Sequence, residues 1–148
     1  MSIRYFEDYD EREIITSGRT VGEADIINFA GLTGDWGQMH TNAEYASKGV
    51  FGQRVTHGAL TFSVSTGLIV RAGVLEEESF VAFYGVENIR FLGPVFIGDT
   101  IHCNCQMIEK KEKEKIGVVS IKVRTLNQRG QDVLICTMKI AVKKREVG

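Results

Sequence analysis

The last third of the chain contains three stretches in which apolar and polar residues alternate. They are "IHCNCQM" (101–107), "VSIKVRT" (119–125) and "LICTMKIAV" (134–142). Because successive side chains of a strand point to opposite faces, this alternation predicts three strands, each with one buried face. The polar segments between the stretches favour antiparallel hairpins. Such a sheet needs an apolar partner to cover its buried face.

The segment "HGALTFSVSTGLIVRAG" (57–73) predicts the longest helix of the chain, and we expect this helix to cover the sheet. Its residues are small or apolar on every side, and Gly73 favours a helix end. A helix without a polar face is typically buried on all sides. Residues 80–91 predict a further strand, and residues 14–20 predict an edge strand. We therefore predict an α+β fold in which an antiparallel β-sheet is wrapped around a long central helix.

Two shorter helices are predicted before the central one. Residues 23–32 follow Gly22, an acceptable N-cap, and carry acidic residues in their first turn. The sequence "TNAE", from Thr41 to Glu44, has the form of a capping box and predicts a short helix through about Ser47. The segment that joins these two helices is rich in glycine.

Composition restricts the partners of this fold. The 148 residues predict a single domain that spans residues 1–148. The formal net charge of −1 favours neither nucleic acid nor a membrane as a partner. The N-terminal "MSIRYFEDYDERE" lacks the apolar core of a signal peptide, and an odd number of cysteines argues against a disulfide scaffold. We therefore expect a cytoplasmic protein.

The three cysteines lie on the apolar faces of the predicted strands. Cys103 and Cys105 share one face of their strand, whereas the neighbouring His102 points to the other face. Neighbours on one strand face also make a poor disulfide. Cys136 has the same position in its own strand. We predict core packing for all three cysteines, and we expect no metal site.

The stretch "TGDWGQMHTNAEYA" (33–46) contains the residues best suited to chemistry. Asp35 and His40 are five residues apart, and on an α-helix this spacing would turn their side chains about 140° apart. Gly34 and Gly37 give the backbone the freedom to bend. The stretch is therefore either an incidental loop or a turn that brings a carboxylate and an imidazole together.

The sequence "THGAL" (56–60) favours the second interpretation. It places Gly58 at the start of the predicted central helix, where unpaired N–H groups are suited to holding a developing oxyanion. A carboxylate, an imidazole and a helix-end donor together indicate acid/base chemistry on a carbonyl compound.

These residues also carry a family resemblance. The segment "FAGLTGDWGQMHTNAEYA" (29–46) resembles the signature of the MaoC-like, (R)-specific enoyl-CoA hydratases, which have the hotdog fold. The signature contains G-D-x-N-P-x-H and a small residue six positions later, here Ala46. The segments "FGQRVTHGAL" (51–60) and "FLGPVFIGDTI" (91–101) resemble two further segments of the family. The resemblance covers nearly the whole chain and implies a single MaoC-like hotdog domain.

The resemblance implies a hydro-lyase. Asp35 and His40 would activate water and add it to a trans-2-enoyl-CoA, or dehydrate a (3R)-3-hydroxyacyl-CoA in the reverse direction. The backbone N–H of Gly58 would hold the thioester oxygen. The alternatives are a hotdog acyl-CoA thioesterase and a non-catalytic subunit that binds acyl thioesters. No metal or organic cofactor is implied, the acyl-CoA is the substrate, and the chain would form a homodimer or a larger homo-oligomer.

The resemblance also implies residues that contact the substrate. Thr66 matches a hydroxyl-bearing position of the acyl pocket, and Arg54 or Lys48 would meet the phosphates of CoA. His57 either orients the turn before the oxyanion glycine or takes part in the chemistry, with the first role favoured. One departure concerns Gly37 and Gln38, which stand where the family carries Asn-Pro in the substrate site. Gln38 is one position later than the family Asn, so it would compensate only if the loop had a different conformation.

Overall fold

The computed structural model describes residues 3–146 as an antiparallel sheet that packs on one long helix. A short 3₁₀ turn precedes the sheet at Phe6–Asp8. The helices are α1 (Glu23–Thr33), α2 (Gln38–Thr41), α3 (Ala43–Ser47) and α4 (Gly58–Arg71). The strands are β1 (Ile14–Ile15), β2 (Arg19–Thr20), β3 (Phe80–Phe91), β4 (Thr100–Glu112), β5 (Ile116–Leu126) and β6 (Asp132–Lys143).

The strand order is β1-β4-β5-β6-β3, and β2 also pairs with β4. The three alternating stretches form the centres of β4, β5 and β6, so their prediction is confirmed. The register sets Cys105 opposite Val123 and Val123 opposite Cys136, and all three side chains are buried. One apolar face therefore runs across three neighbouring strands and packs against α4. The predicted edge strand 14–20 consists of two short strands, both paired with β4.

The cysteines are part of this core. All three are free and buried, as the alternation predicts. Burial in apolar surroundings raises the pKa of Cys105 to about 12 and that of Cys136 to about 11. Burial also raises the pKa of Cys103, although this thiol lies near the hydroxyl of Thr125. Thiols with such pKa values are inert packing groups at neutral pH.

Helix α4 is not buried on all sides in the chain, so that prediction is wrong. One face packs on the sheet through Leu60, Thr61, Val64, Ser65, Leu68 and Ile69. The opposite face, which includes Ser63, Gly67 and Val70, is exposed. A single sheet can cover only one side of a helix, and the pattern of the sequence does not specify what covers the other side. None of the helices in residues 3–146 is long and apolar enough to cross a membrane.

The short helices differ from their prediction in two respects. Helix α1 agrees with it to within one residue, but the following segment contains α2, which the sequence pattern did not indicate. The N-cap of α3 is Asn42 rather than Thr41, since the Asn42 side chain accepts a hydrogen bond from the N–H of Tyr45. The Thr41 hydroxyl instead donates to backbone carbonyls of residues 36 and 37.

Candidate active site

Asp35 and His40 lie side by side. Helix α1 ends at Gly34, whose φ of 81° is in the left-handed region that favours glycine, and the chain then turns toward α2. Asp35 lies in this turn and His40 lies within α2. An oxygen of the carboxylate and a nitrogen of the imidazole are within 4.8 Å of each other, a span that one bridging water can fill. The predicted convergence is confirmed, although His40 lies on a helical turn rather than in a loop.

The imidazole of His40 is held in one tautomer. Its Nδ1 lies 2.7 Å from the backbone oxygen of Val55. Because a carbonyl oxygen only accepts, Nδ1 must carry the proton in this contact. The neutral ring therefore presents Nε2 as an acceptor, which is the form that a general base requires.

His57 supports both members of the pair. Its side chain is buried, and its Nε2 donates to the backbone oxygen of Asp35 at 3.0 Å. Its ring stacks on that of His40, with centroids 3.9 Å apart and planes 25° from parallel. The Nδ1 of His57 is buried without a hydrogen-bond partner. These contacts are those of a side chain that orients its neighbours, which is the first of the two roles that the sequence left open.

Asp35, His40 and His57 form a cluster of potential metal ligands, but their geometry does not fit a metal. The lone pair of an imidazole nitrogen lies in the plane of its ring. Since the two rings are stacked and nearly parallel, their lone pairs do not converge on a point about 2.1 Å from both nitrogens. The Nε2 of His57 is also already bound to the backbone of Asp35.

A cavity of about 350 Å³ opens beside His40. Its lining is mainly apolar and includes Gly58, Thr61, Phe91 and Leu92. Gly58 is the first residue of α4, so its N–H has no carbonyl acceptor one turn earlier in the helix. Asp35 is not in the lining and stands next to His40, with its side chain 56% exposed. The cavity therefore combines an acceptor nitrogen and a free N–H donor in apolar surroundings.

The ring of Phe91 packs against Gly58 at the start of α4, and both residues line the cavity. A Cβ on Gly58 would lie 3.1–3.3 Å from atoms of the Phe91 ring, so the absence of a side chain allows the ring to sit against the helix. Phe91 was not predicted as a site residue. It is 33 residues away from Gly58 along the chain, and no periodic pattern in the sequence indicates their contact. Thr61 was also missed, although it follows Gly58 by three residues and so lies on the same side of α4.

The structure does not bring Thr66 or Arg54 into the lining of this cavity. The Thr66 hydroxyl donates to the backbone oxygen of Ser63 at 2.7 Å, and Thr66 is not in the cavity lining. Arg54 is only 12% exposed, and its guanidinium binds the backbone oxygen of His40 and the carboxylate of Glu23. It therefore does not present its charge to a phosphate. Lys48 remains exposed and pairs with Glu44 at 3.1 Å.

Gln38 does not replace the missing asparagine. Its side-chain oxygen accepts from the amide of Asn42 at 3.0 Å, one turn further along the chain. Gly37 itself lies between the two acid/base groups, since its N–H donates to the Asp35 carboxylate at 3.1 Å. A Cβ at Gly37 would lie 3.2 Å from that carboxylate and 3.3 Å from the His40 ring. The φ of −49° at position 37 is negative, so the backbone does not require glycine there.

A family model described as "MaoC like domain" matches residues 7–128. Protein MaoC of Klebsiella aerogenes is 41% identical over 113 residues, which are 76% of the chain and 33% of that protein. An (R)-specific enoyl-CoA hydratase of Rhodospirillum rubrum is 36% identical over 99 residues, which are 67% of the chain and 66% of the enzyme. The chain thus spans a third of the first relative and just under two thirds of the second.

A solved structure extends this similarity to nearly the whole chain. The structure of a monoamine oxidase regulatory protein from Archaeoglobus fulgius superimposes with a TM-score of 0.92 at 37% identity. The match covers 99% of the chain and 100% of that protein. The architecture, an antiparallel sheet packed on a central helix, is the hotdog fold. The predicted fold class is confirmed.

Proposed function

Because the chain belongs to the MaoC-like dehydratase family, we propose that it is a hydro-lyase that adds water reversibly to a trans-2-enoyl-CoA. The observation that carries the proposal is the approach of Asp35 and His40 to within 4.8 Å, beside a cavity that Gly58 lines. The similarity to an (R)-specific enoyl-CoA hydratase supports the same reaction and substrate class.

The residues divide the reaction between them. Asp35 and the Nε2 of His40 hold one water, and Nε2 takes a proton from it as the oxygen bonds to C3. Electrons of the C2–C3 double bond move toward the thioester, and the N–H of Gly58 stabilises the negative charge that develops on its oxygen. The proton on His40 is then delivered to C2. The imidazole returns to its neutral form, so the net reaction is the addition of one water to the enoyl thioester, and the proposed mechanism requires no cofactor.

Two assays with the same enoyl-CoA test the proposal against its alternatives. A hydratase removes the ultraviolet absorbance of the enoyl thioester without releasing a thiol. A thioesterase releases CoA, which a thiol reagent detects, and a binding subunit retains the acyl-CoA without either signal. We expect loss of absorbance and no free thiol. Thiol release as the main signal, or binding without turnover, would overturn the proposal.

Restoring the family asparagine is expected to change substrate preference more than stability. In Gly37→Asn, the new side chain enters the space between Asp35 and His40, where a Cβ is in tight contact with both. We expect the ratio of kcat/KM values across a series of enoyl-CoA chain lengths to shift about tenfold or more. The free energy of unfolding should change by no more than about 1 kcal/mol, since φ at position 37 is ordinary.

Gly37→Ala is the matched control, because it adds the Cβ without the carboxamide. A preference shift in the Asn variant alone assigns the effect to the carboxamide. Equal rates for both variants and the unmodified protein at every chain length would show that position 37 does not contact the substrate.

We also propose a homodimer. Strand β3 is an edge strand, which pairs only with β6 among the described residues. Its exposed side chains include Val81 and Phe83. Val70, on the face of α4 that the sheet does not cover, is also exposed. A second copy that pairs at β3 would continue the sheet and cover both features.

Sedimentation equilibrium is expected to give twice the 16.5 kDa mass of one chain at micromolar concentration. Phe83→Lys places a charge in the proposed interface and should raise the dissociation constant. Ile15→Lys serves as the control, because it also replaces an exposed apolar residue with lysine but lies on β1, at the opposite end of the strand order. A monomer mass for the unmodified protein at this concentration would refute the dimer.

A further inference from the structure

Residues 54 and 55 hold residues 39 and 40 through three hydrogen bonds. The N–H of Val55 donates to the backbone oxygen of Met39 at 3.1 Å. The Nδ1 of His40 donates to the backbone oxygen of Val55 at 2.7 Å. The Nε of Arg54 donates to the backbone oxygen of His40, also at 2.7 Å. Two of the three bonds end on His40, so the segment fixes both the ring and the backbone of this residue.

Arg54 extends this connection to helix α1. Its Nη1 donates to the carboxylate of Glu23, the first residue of α1, at 2.6 Å. The Arg54 side chain is almost fully buried, and its Nη2 is buried without a hydrogen-bond partner. A guanidinium withdrawn from water with a donor unsatisfied is costly. Its placement is therefore not explained by stability alone, and the group that it contacts in the site is His40.

His40 needs such support because α2 contains only four residues. One turn of helix is unstable in isolation, since nucleation fixes several backbone dihedrals for a single hydrogen bond. The orientation of the imidazole must therefore come from contacts outside α2. A displacement of about 1 Å at a catalytic group can lower a rate about 10²-fold.

We propose that Arg54 is a positioning residue, which holds the backbone of His40 and so keeps its imidazole in the contact with Val55 that sets the tautomer and orientation the reaction requires. The proposal rests on the hydratase function proposed above and identifies a residue that determines how well the same site works. Arg54 acts through His40 and is not expected to touch the substrate.

Kinetics of Arg54→Met test the proposal. We expect kcat for enoyl-CoA hydration to fall about 10- to 100-fold, with KM within about twofold of the original value. Arg54→Lys keeps the charge and one donor but not the fork that reaches both Glu23 and His40, so it should recover part of kcat. Arg19→Met is the matched control. Arg19 binds Asp25 of α1 at 2.6 Å without contacting His40, and its loss should leave kcat unchanged.

A second readout does not depend on activity. The ¹H–¹⁵N spectrum of the imidazoles reports which nitrogen of His40 carries the proton. We expect the Nδ1-protonated tautomer in the unmodified protein and in Arg19→Met. We expect a mixture of tautomers in Arg54→Met and in Arg54→Lys, and the lysine variant decides the test if the methionine variant does not fold.

The possible results separate the two proposals. An unmodified protein that hydrates no enoyl thioester refutes the function, whereas the spectra still test the positioning of His40. Unchanged spectra and unchanged kcat in both Arg54 variants would overturn the role of Arg54. A rise in KM alone would also overturn it, because that result assigns Arg54 to substrate binding.

Discussion

Asp35→Asn and His40→Ala are each expected to lower the rate of enoyl-CoA hydration about 10²- to 10⁴-fold, because general base catalysis by His40 needs both the imidazole and the carboxylate that holds the water beside it. The asparagine keeps the size of the aspartate but removes its charge, so it holds the water less well. The alanine removes the Nε2 that accepts the proton. Steady-state rates measured by ultraviolet absorbance, with circular dichroism as the check on folding, give the result.

His102→Ala is the control for this pair, because His102 lies on β4 outside the cavity lining and should leave the rate unchanged. Near-normal hydration by Asp35→Asn or by His40→Ala would remove that residue from the mechanism. If the protein releases thiol, and both variants release it at the unmodified rate, a thioesterase that uses this pair is also excluded.

Gly117→Ala is expected to destabilise the protein by about 1–3 kcal/mol, the usual cost of overpacking a core. Gly117 lies on β5, and the buried ring of Phe6 packs directly against it. A Cβ at Gly117 would overlap the ring of Phe6, so the ring and the 3₁₀ turn that carries it must move. Urea denaturation measures the change in the free energy of unfolding.

Two further variants isolate this contact. Gly31→Ala on α1 adds a Cβ whose nearest contact, with the Trp36 ring, is at an ordinary 3.9 Å, and it should cost little. In a Phe6→Ala background the obstructing ring is absent, so Gly117→Ala should then be close to neutral. An equal cost of Gly117→Ala with and without Phe6 would show that the contact does not cause the destabilisation.

Local patterns predicted the parts of the fold that depend on local geometry. The alternation in residues 101–107, 119–125 and 134–142 depends on the two-residue period of a strand, and the structure confirms it in β4, β5 and β6. The same period placed the cysteines in the core. Helix α4 was predicted from its composition to within two residues at each end. Its exposed face was not predicted, because composition does not specify which neighbouring elements cover a helix.

The candidate site also has features that the sequence indicated and features that it did not. The residue types of Asp35, His40 and Gly58 indicated their chemistry, and the glycines around Asp35 indicated that the chain could turn. The structure does not support the expected substrate contacts of Arg54, Thr66 and Gln38, and the reason is common to all three. Each of these side chains satisfies its hydrogen bonds with a nearby group of the protein, and the position of that group follows from the folded backbone.

The sequence by itself determined the faces of the sheet and the central helix and supplied a candidate carboxylate and imidazole, because strand period, helix composition and side-chain chemistry are local properties. The tertiary structure alone decided which nitrogen of His40 is free, since the carbonyl that binds the other nitrogen is 15 residues away. It also decided that Arg54 supports His40 and that Phe91 covers Gly58. These contacts join residues that share no periodic pattern, and they form only when the sheet and the helix pack together.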